Sequence, residues 1–233
     1  MTAYSYDIKK GRRMKELYII GAGGFGREIA WLVERINQEK PTWHLKGFID
    51  DNPEIWGRGF DDYPVIGGCE SLRKINHDIW VLCAIGSSKT RRRIIEGLGT
   101  SPNIHFATVI DPSVQMSKRV EIGEGTMICA GNIITVDVTI GKHNIINLDC
   151  TIGHDAILGD FVTLYPSVNV SGCSAIGSET ELGTGMQTIQ GMKIGSQTIV
   201  GAGSVVIRDI PERCVAVGSP AKVIKIFNDS DNH

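Results

Sequence analysis

The sequence predicts a small Rossmann-like α/β domain followed by a parallel β-helix built on a hexapeptide repeat. Three observations carry this. Strand and helix patterns alternate over 14–105, a glycine-rich turn joins the first strand to the first helix, and a period of six runs from Ile110 to Val206. With 233 residues, 42% of them apolar, the chain can bury two modest cores. Aromatics are scarce at 6% and glycines number 28, which suits tight turns around a narrow interior.

In the first part, Glu16–Ile20 reads as a buried strand. Gly21-Ala-Gly-Gly-Phe-Gly26 follows, then a helix from Arg27 to about Gln38 with Ile29, Leu32, Val33 and Ile36 on one face. Leu45–Ile49 is a second strand ending at Asp50-Asp51, and Ile79–Ile85 a third, followed by a helix through Arg93, Ile94 and Ile95. Such alternation argues a small parallel sheet.

Stepping by six from Ile110 to Val206 meets an aliphatic residue or Met at sixteen of seventeen positions, Thr188 being the exception. About a third would be expected from average composition. Mostly small residues lie two before each, and Gly follows the large one at 123, 141, 153, 159, 177, 183, 195 and 201. One large and one small inward residue per six describes a short strand and a corner; three strands close a coil of eighteen residues. The corner glycines are expected to supply backbone angles that other residues adopt poorly. The register is unbroken, so no loop is inserted. Predicted boundaries are a tail at 1–13, the α/β domain at 14–105, the β-helix at 106–210 and a cap and tail at 211–233.

The chemistry concentrates at a few residues. His154 follows corner Gly153, outside the packed prism, with Asp155 next to it. A solvent-facing imidazole beside a carboxylate can take a proton from an attacking amine or hydroxyl, and it also reads as an ordinary surface pair. Neighbouring strand residues point to opposite faces, so pairing of the two needs the corner or a second subunit. His143 lacks a carboxylate neighbour and reads as surface. Asn147 occupies a corner slot; left-handed backbone and a ligand contact are both open to it. Gly21, Gly23 and Gly26 fit G-x-G-x-x-G, and Asp50 and Asp51 end the next strand. That set fits a nucleotide or other phosphate ligand, or a purely structural turn. Arg91-Arg-Arg93 reads as a solvated helix face or a phosphate partner.

Net charge is −2, which gives no pull toward nucleic acid or an anionic membrane. No apolar run is long enough for a membrane span, and no apolar stretch follows the basic residues of Met1–Lys15, so a cytoplasmic protein is expected. The six cysteines, at 69, 83, 129, 150, 173 and 214, show no C-x-x-C spacing; buried free thiols and no metal site are expected. After Gly201-Ala-Gly-Ser-Val-Val206, Pro211 breaks the period and Val217-Gly-Ser-Pro-Ala-Lys222 reads as a cap for the open end.

These parts together resemble bacterial hexapeptide-repeat sugar acyltransferases of the NeuD/PglD type, from about Met14 to Lys225. The resemblance rests on the GAGGFG–DD domain, the unbroken hexapeptides, the I-G-H-D corner and the GAGSVV…VGSPAKVI strip. It implies a homotrimer of left-handed β-helices, although general crossover rules alone favour a right-handed coil. It implies acetyl-CoA between neighbouring helices, along Gly183, Gly201, Ala202, Pro220, Ala221 and Lys222. It implies His154 as general base, Asp155 as its acidic partner and Asn147, seven residues earlier, near the acceptor amine. The nucleotide of a nucleotide-linked amino sugar is then expected at Gly21, Gly23, Asp50 and Asp51.

Phe25 stands where some members have His, Thr163 where some have a second His, and Asp155 where some have Glu. These departures bear on the acceptor. The expected activity is acetyl-CoA-dependent N-acetylation of a nucleotide-linked amino sugar. O-acetylation of sialic acid or another sugar is the alternative within the class, and a non-catalytic trimeric scaffold the alternative outside it. A nucleotide oxidoreductase is disfavoured, because the sheet domain holds only half of the usual dinucleotide fold.

Overall fold

The computed structural model describes residues 14–60, 62–99 and 101–228; the predicted N-terminal tail lies outside them. A six-stranded sheet comes first: β1 (Lys15–Ile20), β2 (Trp43–Ile49), β3 (Gly59–Phe60), β4 (Tyr63–Gly67), β5 (Ile79–Cys83) and β6 (Ile104–Phe106), in spatial order β3-β4-β2-β1-β5-β6. All pairings are parallel except β3 with β4. Helix α1 (Gly24–Glu39) joins β1 to β2, and α2 (Ser88–Leu98) joins β5 to β6. Each helix turns an apolar stripe to the sheet: Ile29, Ala30, Leu32 and Val33 from α1, Ile95 and Leu98 from α2.

From Val109 the chain runs as two-residue strands, β7 (Val109–Ile110) through β23 (Val205–Val206), in three stacked parallel sheets. Partners are eighteen residues apart, as in Met127 with Val109 and Ile145. The first face carries 109–110, 127–128, 145–146, 163–164, 181–182 and 199–200; the second starts at 115–116 and the third at 121–122. The prism is filled by the predicted registers, Ile128, Ile134, Ile140, Ile146, Ile152 and Leu158 onward among the large residues, Val138, Cys150, Ala156 and Val162 among the small. Met116 is the departure: it lies at the first coil and is exposed. β24 (Cys214–Val217) and β25 (Lys222–Ile226) close the far end of the first face.

The corner glycines act differently from expectation. The glycine after each large residue does not take a left-handed angle; the residue two further on does, among them Gly125, Asp149, Asp155 and Cys173. A Cβ on Gly123 would lie 2.6 Å from the backbone of Gly141, and one on Gly177 2.4 Å from Ser196 N. Glycine is needed there because successive coils stack too closely for a side chain.

The first face is where the two parts meet. Its outward residues Met127 and Ile145 are apolar and pack with Ala22 and Val109 in the core that α1 shares. Arg35 on α1 donates to Asp111 through Nε at 2.6 Å and Nη2 at 3.0 Å. Burial pushes the Asp111 carboxyl up, but bonds from Arg35 and Ser113 outweigh it and hold it below the usual range.

Candidate active site

His154 stands at the edge between the second and third faces, just after β14 (Thr151–Ile152). Its Nδ1 lies 2.7 Å from Asp155 Oδ2, with both side chains about half exposed. The corner makes this pairing possible within one chain. Asp155 takes φ +58°, which returns its side chain to the side of the preceding residue instead of the opposite face. With the carboxylate accepting from Nδ1–H, the lone pair of the neutral ring is at Nε2.

Sequence reasoning missed the seat of this ring. Gly172, eighteen residues on, lies one coil away, and a Cβ there would meet His154 Nε2 at 2.6 Å and Cε1 at 2.8 Å. The eighteen-residue coil is the signal that pairs the two. Cys173 comes with it: its Sγ is 3.9 Å from His154 Nδ1, and it is exposed. The other thiols fit the expectation of burial better. Burial pushes Cys83, Cys129 and Cys150 up to about 12, which leaves them inert at neutral pH.

Asn147, Gly183, Gly201 and Ala202 lie together along a different edge, between the first and second faces. Asn147 is not left-handed; Asp149 takes that role, and Asn147 Oδ1 accepts from Leu148 N at 2.7 Å. Pro220–Lys222 joins this edge at its far end, where Ala221 N donates to Val205 O and Gly218 N to Ser204 Oγ. Small residues keep the edge open: a Cβ on Gly185 or Gly203 would meet no atom within 4 Å. Lys222 is exposed at the end of the strip. Within the chain, then, the Asn147 edge and the His154 edge are separated by the width of the second face.

In the α/β domain, Gly21 takes φ +99° and Gly26 packs against it, its Cβ position only 1.9 Å from Gly21 O. Gly23 caps α1 with no side-chain bond, and no acid stands in the first helical turn. The first-turn N–H groups are thus suited to an anion. Asp50 Oδ2 accepts from Ala22 N and Oδ1 from Asn52 N; Asp51 Oδ1 accepts from Cys69 N. Asp50 therefore braces the glycine turn, and Asp51 the start of the segment at Cys69. A carboxylate has about four acceptor sites, so these bonds leave capacity for a ligand. Gly86, three residues after β5, abuts Tyr165, whose hydroxyl is 3.2 Å from Glu181. Tyr165 follows Asn147 by one coil, so the loop after β5 lies beside the Asn147 edge.

Two expectations are corrected. Arg91 is not on a solvated helix face: it is fully buried and bridges the two parts. It donates to the carbonyls of Ile85, Gly86, His143 and Phe161 and to Thr163 Oγ1, and burial lowers its pKa to about 10. Thr163 also donates to Gly86 O, so it belongs to this clamp. His143 is likewise buried, its ring between Phe106 and Phe161, and burial first of all lowers its pKa to about 4. Arg92, by contrast, pairs on the surface with Glu96 and Glu179.

The β-helix with a histidine–carboxylate corner, fused to a glycine-turn α/β domain, defines a hexapeptide-repeat acyltransferase. Comparison with known proteins sharpens this. The model for the PglD N-terminal domain matches residues 16–98. GDP-perosamine N-acetyltransferase of Escherichia coli is 28% identical over 217 residues, 89% of this chain and 95% of that protein. The acetyltransferase domain of PglB from Neisseria gonorrhoeae, solved with acetyl coenzyme A, superposes with TM-score 0.82 at 28% identity, covering 91% of this chain and 100% of that one. PerB from Caulobacter crescentus, solved with CoA and GDP-perosamine, gives TM-score 0.79 at 31% identity over 91% and 98%. The chain belongs to the PglD-type family of hexapeptide-repeat, acetyl-CoA-dependent sugar acetyltransferases.

Proposed function

We propose that this protein moves the acetyl group of acetyl-CoA to the amine of a nucleotide-linked amino sugar, with His154 as general base. The observation that carries this is the His154 corner: an exposed imidazole seated on Gly172, its Nδ1 held 2.7 Å from Asp155. Acetyl-CoA supplies an activated thioester. His154 Nε2 takes the proton of the acceptor amine as it attacks, and can return it to the departing sulfur. Asp155 keeps the ring in the tautomer with Nε2 unprotonated and stabilises the imidazolium that forms.

The small residues of the Gly183–Gly201 edge and the cation of Lys222 suit a phosphate-bearing thioester. The uncapped start of α1 suits the diphosphate of the acceptor. A side-by-side trimer joins these half-sites, bringing the Asn147 edge of one protomer to the His154 edge of the next. The exposed apolar residues Ile133 on the second face, Val136, Ile189 and Ile207 along the edge that follows it, and Ile157 at the start of the third face flank the His154 corner, and a second copy would cover them.

The test is acetylation of a panel of UDP-, GDP- and dTDP-linked amino sugars and free sialic acid, read by mass spectrometry, with light scattering for assembly. Transfer to a nucleotide-linked amine by a trimer is expected. Transfer only to free sialic acid, or a monomer at assay concentration, overturns the reading.

A further inference from the structure

The His154 corner holds a third ligating side chain that acetyl transfer does not use. Cys173 stands eighteen residues after Asp155, one coil away, and both take φ +58°. Its N–H donates to His154 O at 2.7 Å, so the backbone fixes how close the side chains come. Sγ lies 3.9 Å from His154 Nδ1, and Nδ1 lies 2.7 Å from Asp155 Oδ2. One ligand atom from each residue falls within 4.8 Å of the others, and no second such cluster occurs among the described residues.

We propose that this corner binds a divalent metal ion of the zinc class and that the ion switches the enzyme off by occupying Nδ1 of its base. The inhibitory half of the proposal rests on the reading of His154 as general base; the binding half does not.

The ligand set and geometry favour zinc. Thiolate and imidazole select zinc-class ions over magnesium or calcium, which prefer all-oxygen sites. A tetrahedral zinc with bonds of about 2.0 Å to N and O and about 2.3 Å to S sets its ligands roughly 3.3–3.6 Å apart. From the observed spacing, Nδ1 and Oδ2 need to part by roughly half an ångström and Nδ1 and Sγ to approach by less, within reach of exposed side chains. On the next coil Gly191 occupies the equivalent place, and a Cβ there would meet nothing within 4 Å. That opening leaves room for a water as fourth ligand.

The consequence for the base follows from proton accounting. A neutral imidazole has one N–H. With Nδ1–H donated to Asp155, Nε2 carries the lone pair. An ion at Nδ1 displaces that proton, and the neutral ring then carries its N–H at Nε2, where it can no longer accept a proton from the acceptor. The Cys173 thiol loses its proton to solvent, so one proton is released for each ion bound. All three side chains are exposed, so no part of the core depends on the metal, and the metal-free enzyme is the active one.

The full-length enzyme, stripped with chelator, is titrated with Co²⁺ while the near-ultraviolet thiolate-to-cobalt absorption is followed. Acetylation is then measured against added Zn²⁺, reading product by mass spectrometry. The wild type is expected to show the band, to lose it when Zn²⁺ displaces Co²⁺, and to be inhibited by Zn²⁺. Cys173→Ser is expected to keep its basal rate and show no band. Its Zn²⁺ sensitivity should fall by at least the 10- to 100-fold that even an outer-shell partner contributes. No band in the wild type, or an equal band in Cys173→Ser, overturns the site. A band without inhibition at saturating Zn²⁺ overturns the switch and counts against His154 as base. A band with no acetylation of any acceptor leaves the site standing and rejects the proposed function instead.

Discussion

Two histidines at two corners of one β-helix meet opposite fates. Each ring is seated over a glycine one coil away, His143 over Gly125 and His154 over Gly172. His143 lies at the edge where the α/β domain docks, buried between Phe106 and Phe161, with its carbonyl taken by Arg91. His154 lies at the far edge, where no domain docks, with Asp155 at its Nδ1. The two seats differ by one position: His143 stands in the left-handed slot itself, over a glycine of the preceding coil, and His154 just before that slot, over a glycine of the following coil. What covers the edge decides whether the imidazole becomes packing material that resists charge or stays open to solvent beside a carboxylate.

The strongest way to break this contrast is to remove each ring. His154→Ala should lower turnover about 10²- to 10⁴-fold while leaving the melting temperature and acetyl-CoA affinity nearly unchanged. His143→Ala should do the reverse and cost stability, since it empties a packed site. Equal losses of turnover from the two variants, at equal folded fraction, would refute the assignment of the base.

His143 also makes a pH prediction. Its folded pKa is depressed to about 4, against 6.5 for a free imidazole, chiefly by burial. The unfolded chain therefore binds a proton that the folded one refuses. The contribution is fully present above pH 6.5 and is lost as pH falls toward 4, by roughly 3 kcal/mol over that window. Urea denaturation at pH 7 and pH 5 should show the fall. His143→Asn, which tolerates the left-handed φ of 55° at this position, should flatten it. An unchanged pH slope in the variant would show that other groups control the acid response.

Gly172→Ala tests the seat of His154. The added Cβ would lie 2.6 Å from Nε2, so the ring must move. A displacement near 1 Å costs about 10²-fold in rate, so kcat should drop to that extent with little change in acetyl-CoA binding. A rate within a few-fold of wild type would mean that the ring has no fixed working position.

The period of six made the β-helix legible, because large inward residues recur wherever three short strands close a coil. The His154–Asp155 corner was legible as a residue pair but not as a geometry. The left-handed angle of Asp155, which brings its carboxylate to Nδ1, is invisible to strand alternation. Gly172 comes under the His154 ring, and Cys173 beside it, only through the eighteen-residue stacking, a spacing that local motifs do not register. Arg91 and His143 were read as surface because their burial comes from docking of the α/β domain. The outward pair Met127 and Ile145 is apolar and buried by that docking, but outward Ile133 and Ile157 on the other two faces are apolar and exposed, so the pattern alone does not mark the docked face.

The smallest expected effect is that of Asp155→Asn, and it separates orientation from proton acceptance. Asn adopts the left-handed φ of 58° as readily as Asp does, so the corner should keep its shape. Its amide oxygen can still accept from Nδ1–H and hold the ring. What it lacks is the negative charge that stabilises the imidazolium in the transition state, a charge at half-exposed distance that water already screens. The loss should therefore fall on kcat, by about tenfold, the low side of what a charge-assisted bond contributes over a neutral one. KM for both substrates should stay put. Asp155→Ala removes the acceptor as well as the charge and should fall between Asp155→Asn and His154→Ala. If Asp155→Asn instead matches His154→Ala, as happens when an amide turns the ring to the wrong tautomer, the carboxylate sets the proton's place on the imidazole and not merely its comfort there. Steady-state rates of the three variants at saturating acetyl-CoA decide between these outcomes.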